Sequence, residues 1–111
     1  MITRTAVDIE RMRIRADICT RVCAENVWDK FPTNDGRDLF LWHDDRCQKA
    51  ARDYVISLKG ADIDKCDRAY DELLNSCKGL MELFEWKGIV TMAYFTYAGM
   101  LVDIFEYTEI A

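Results

Sequence analysis

Ile89-Val-Thr-Met-Ala-Tyr-Phe-Thr-Tyr-Ala-Gly-Met-Leu-Val102 is a run of fourteen residues without a charge, set in a 111-residue chain of which 32% is charged. Full burial of one large apolar side chain is worth roughly 1.5–3 kcal/mol. The run therefore predicts a segment hidden from water that supplies much of the drive to fold. It falls short of the ~20 apolar residues that span a bilayer, so it reads as a buried helix over about 89–107, the most buried of its fold. The β-branched and aromatic residues at its start leave an extended opening as the alternative.

Working outward, Thr5 to Lys30 has helical periodicity but shows two apolar stripes at about 100° per residue. One is Ile9, Met12, Ala16, Cys19, Cys23 and Val27; the other, nearly opposite, is Val7, Ile14, Ile18 and Val22, rimmed by Arg11 and Arg15. A surface helix normally has one such stripe. The second face is either packed within the domain or kept for a partner.

Phe31-Pro32 ends this helix, because Pro disfavours helical geometry in the residue before it. Thr33-Asn34-Asp35-Gly36 reads as a loop, followed by a helix over 38–59 with Gly60 as its cap. Its stripe is Phe40, Cys47, Ala51, Tyr54 and Leu58, and Trp42 projects away from it. Asp62 is a good N-cap for a third helix, which continues through Gly79 to Trp86 and carries Asp64, Asp67 and Asp71 along one edge. Lys87-Gly88 breaks the chain before the last helix. The pattern predicts an all-α fold, an antiparallel bundle of about four helices (roughly 5–30, 38–59, 62–86 and 89–107) in a single domain, 1–111.

The formal net charge is −5, and the excess is local: residues 61–111 carry four basic side chains against ten acidic ones. A negative field disfavours direct nucleic-acid binding, which draws its affinity from phosphate contacts, and it suits a basic protein partner. Five cysteines follow no secreted disulfide framework, and the N-terminus lacks the apolar core of a signal peptide. The expectation is a reducing, cytoplasmic compartment without membrane contact.

Four patterns bear on chemistry. Cys19, Cys23, His43 and Cys47, spaced i,i+4 on two helices, form a conceivable tetrahedral zinc set or thiol switch, against which stands the ordinary role of free Cys as a small core residue. A di-iron bundle needs Glu-x-x-His on two helices, and the single histidine is preceded at that position by Phe40. The chain has two serines and no marked oxyanion hole. Its glycines are scattered and form no phosphate loop. No enzyme, cofactor or metal is expected.

Two surfaces remain. One is the second stripe of the first helix (Val7, Arg11, Ile14, Arg15, Ile18 and Val22) with Trp42 as a hot spot beside it. The other is the acidic edge Asp64, Asp67 and Asp71, with Asp62, Glu72, Glu82 and Glu85, interrupted by Lys65, Arg68 and Lys78. The function expected is that of a non-catalytic interaction module or inhibitor acting on another, basic protein, with a homodimeric adaptor as the alternative. In type, though in no motif, such a chain resembles the small acidic inhibitors of phages and mobile elements, anti-CRISPR proteins among them.

Overall fold

The computed structural model describes the backbone of residues 6–23 and 26–110, and the side chains of residue 10 and of residues 13–20 and 26–106. Among these residues there are four α-helices and no strand: α1 (Ala6–Cys23), α2 (Asn34–Ser57), α3 (Ile63–Trp86) and α4 (Tyr94–Ile110), with a short 3-10 turn at Trp28–Lys30.

The first helix is shorter than its periodicity suggested. The Thr20 hydroxyl donates to the Ala16 carbonyl at 2.8 Å and accepts the Val27 N–H at 2.9 Å. That hydroxyl ties the chain back on itself, so Val27 is buried from a separate turn and not from a continuing helix. The next helix starts four residues earlier than expected, because Thr33 caps it: its side chain accepts the Gly36 N–H at 3.1 Å. Asn34, Asp35 and Gly36, which look like a loop, are its first turn, with Asp35 favourably placed near the positive end of the helix dipole. Gly60 is not a left-handed cap; α2 closes at Leu58, which is in right-handed geometry.

Asp62 caps α3 by accepting the Lys65 N–H at 3.0 Å. The helix runs unbroken through Gly79 and stops at Gly88, whose φ of 78° is open to glycine at no steric cost. There the Gly88 N–H bonds the Glu85 carbonyl and the Ile89 N–H bonds the Phe84 carbonyl, each at 2.9 Å. This is a Schellman cap, and Ile89 and Phe84 supply the buried apolar contact that accompanies it.

Interhelical contacts fix the directions. Cys47 meets Ser76 while Ser57 meets Cys66, so α2 and α3 run antiparallel. Asp44 meets Tyr97 and Arg52 meets Phe105, so α4 runs alongside α2 and against α3. Where α2 begins and α3 ends, Phe31, Phe40 and Phe84 pack with ring centroids 5.3, 5.8 and 6.1 Å apart.

The uncharged run differs from its expectation in two ways. Residues 89–93 are not helical, and α4 begins only at Tyr94. Nor is α4 the most buried helix: Tyr97, Ala98, Leu101 and Phe105 enter the core, yet Phe95 remains 61% exposed and Val90 75% exposed. One helix lying against an α2–α3 pair is covered on one face only. Absence of charge did not require burial all round. Among the described residues no helix is long and apolar enough to cross a membrane.

Candidate functional site

The first expected surface divides when the helices pack. Ile14 is 52% exposed, Ile18 is half-buried and Trp42 is 55% exposed, but Arg15, expected on the rim, turns inward. Its Nε donates to Asp44 Oδ2 at 2.9 Å and its Nη2 to Oδ1 at 3.2 Å. Asp44 thus faces α1, and Trp42, two positions earlier on α2, is about 200° away around that helix. Trp42 instead stands edge-on to His43 at 4.8 Å and under the Arg46 guanidinium at 5.0 Å. It cannot share one flat patch with Ile14. The side chains of Val7, Arg11 and Val22 lie outside the described residues.

Asp44, fully buried, is the polar centre of the bundle. Besides Arg15 it accepts Gln48 Nε2 at 2.7 Å and the Tyr97 hydroxyl at 3.4 Å, so one carboxylate joins α1, α2 and α4. Burial works against the charge on Arg15, but the charge of Asp44 and its hydrogen bond outweigh that and raise the guanidinium pKa. Tyr97 is pushed well above its ordinary value by burial, then by Cys19 and Asp44 nearby.

Cys19, Cys47 and Cys77 are buried in the core, where small cysteines are often found. Cys19 lies 3.7 Å from the Tyr97 hydroxyl, and the Cys47 thiol donates to the Ser76 carbonyl at 3.2 Å. The neighbouring Cys77 thiol, together with burial, pushes the Cys47 thiol far up, away from the thiolate that metals and oxidants meet. His43 packs against α3, where a Cβ on Gly79 would lie 3.4 Å from its Nδ1, and that nitrogen is buried without a hydrogen-bond partner. Among the described residues no three His, Cys, Asp or Glu side chains are arranged to hold a metal ion. The Cys23 side chain lies outside them.

The second expected surface lies on α3, and part of it forms one row. Asp64, Asp67, Asp71, Asn75, Lys78, Glu82 and Glu85 follow one another at spacings of three or four along α3, and all seven are exposed. Five carboxylates face Lys78 in this row, with the exposed Arg68 beside it between Asp64 and Asp71, and no ion pair to any of the five occurs among the described residues. At about 1.5 Å per residue the row is about 32 Å long. Its Glu85 end borders a groove of about 240 Å³ lined by Lys78, Met81, Glu82, Glu85, Met92, Ala93 and Tyr94. Sequence reasoning found the aspartates but missed the groove, because Met92 and Tyr94 belong to the run read as interior. The signal was present in the unbroken 3/4 spacing from Asp64 to Glu85, which can be seen without coordinates.

Compared with protein-family models, curated proteins and solved structures, the chain matches none.

Proposed function

We propose that this protein acts by binding a basic protein along the exposed acidic row of α3. The observation that carries this is the row itself, with five carboxylates against Lys78 and the flanking Arg68, all exposed and none of the carboxylates ion-paired among the described residues. Clustered like charge costs self-repulsion in the free protein and steers a cationic partner, raising its on-rate steeply at low salt. The groove at one end of the row adds an apolar foothold that charge alone lacks.

The test compares capture from a lysate of the source cells by the wild type, by Asp67→Lys/Asp71→Lys and by Ile14→Asp, with circular dichroism confirming that all three are folded. A specific partner retained by the wild type and Ile14→Asp but lost by the double reversal supports the row. Retention by the double reversal and loss by Ile14→Asp would instead assign binding to α1.

A homodimeric adaptor is the second reading, favoured by the 52% exposure of Ile14 on a helix whose opposite side carries the buried Ala16 and Cys19. Sedimentation equilibrium discriminates it: a dimer broken by Ile14→Asp supports self-pairing.

A further inference from the structure

We infer that the groove between α3 and the segment leading into α4 receives one apolar side chain from a basic, helical segment of the partner, laid along the acidic row. This rests on the row being the binding surface and adds where the partner's apolar anchor goes. Met81 forms the buried floor, while half-buried Met92 and partly exposed Tyr94 form a wall. Unbranched methionines adapt to whatever side chain enters, as they do at surfaces that accept varied helices. The exposed Phe95 ring stands edge-on to Tyr94 at 5.7 Å and extends the apolar margin outward.

Charge complementarity selects the occupant. Glu82 and Glu85 belong both to the row and to the groove, so a cation on the partner and an apolar group beside it are met together. Lys78 is the single basic group on this rim. The last turn of α3 carries no basic residue, and Lys87 is turned to the other side, 5.2 Å over the Trp86 ring and 5.4 Å over Phe31. A cation from the partner would therefore meet the negative end of the α3 dipole unopposed by that lysine. A helix with lysines or arginines at i, i+3, i+4 and i+7 matches the spacing of the row, and one large apolar residue in its terminal turn reaches the groove.

The probe is a synthetic helical peptide of about 20 residues, the length of the row, with lysines at 3/4 spacing on one face. It is made with leucine or with glutamine in its terminal turns and titrated calorimetrically against the full chain. The leucine peptide is expected to bind about tenfold tighter than the glutamine peptide, the return on burying most of one leucine. Met92→Asp and Tyr94→Ala, each checked for native helicity, should erase that gain and leave the glutamine peptide's affinity within about twofold.

Equal affinity of the two peptides for the wild type, or a gain that persists in both groove variants, overturns the groove while the row stands. Failure of both peptides to bind, or unchanged binding by Asp67→Lys/Asp71→Lys, overturns the row and the groove together. Concentration-dependent dimerisation abolished by Met92→Asp would assign the groove to a second copy of the chain and overturn its assignment to a basic partner.

Discussion

Asp44 shows most sharply what a single residue decides here. Removing one member of a buried ion pair strands the other, at a cost of about 3–5 kcal/mol, whereas replacing both with apolar groups is often neutral. Asp44→Ala should therefore lower the unfolding free energy by about 3–5 kcal/mol in urea titrations, and Arg15→Met/Asp44→Leu should recover most of it. A double variant as unstable as the single would shift the role of Asp44 to its bonds with Gln48 and Tyr97. His43, the only histidine, makes the second prediction at this scale. Burial, then Arg46, hold its pKa below the ordinary 6.5, with Glu82 opposing. As pH falls the unfolded chain takes up the proton first, so the stability from neutral His43 is present above about pH 6.5 and is lost as pH drops through the lower folded value. Titrating the single imidazole by proton NMR checks this, and a native midpoint at or above 6.5 would refute it. Periodicity identified the buried faces of Ala16, Cys19, Phe40 and Cys47 but not the Arg15–Asp44 pair. Period tells which face is buried, not what waits 29 residues away.

At the scale of the element, two glycines in α3 separate conformational need from tolerance. Gly88 sits at positive φ with open space around it, so Gly88→Ala strains the backbone without touching a neighbour and should cost about 1–2 kcal/mol. Gly79 is mid-helix, and an added Cβ would stand at ordinary contact distance from the His43 ring. Gly79→Ala should then stabilise by about 0.5–1 kcal/mol through helix propensity and the reduced entropy of the unfolded chain. Thermal melts of the two variants should move in opposite directions, and a drop with Gly79→Ala would mean that His43 cannot give way. The ends of α3 were legible because Asp62 and Gly88 are strong local signals. The start of α2 was not, since Thr33-Asn34-Asp35-Gly36 spells a turn and a capped first helical turn equally well. The late start of α4 follows from Ile89, Val90 and Thr91, three β-branched residues with little helix preference.

At the scale of the whole molecule, the all-α bundle was legible from helical periodicity and one uncharged run, separated by breaks, while the covering of α4 was not, because it depends on how many helices surround it. The charge distribution was legible too, and it yields a prediction in which stability and binding pull apart. Asp64, Asp67 and Asp71 repel one another at i, i+3 and i, i+4, each like-charge contact costing a few tenths of a kcal/mol. If the row exists to meet a cation, its charges are unfavourable until the partner arrives. Asp67→Lys, which turns both contacts into attractive ones and leaves Asp71 beside Arg68, should then melt higher than the wild type at low salt, by about a degree or more, while losing affinity for the lysine peptide. Added salt should narrow the difference in melting temperature, because interactions between exposed charges one helical turn apart weaken as the Debye length shrinks toward about 3 Å at 1 M ionic strength. A reversal variant that melts lower at every salt concentration would show that the carboxylates stabilise the free fold. The row would then be explained by the protein's own stability and no longer by a partner.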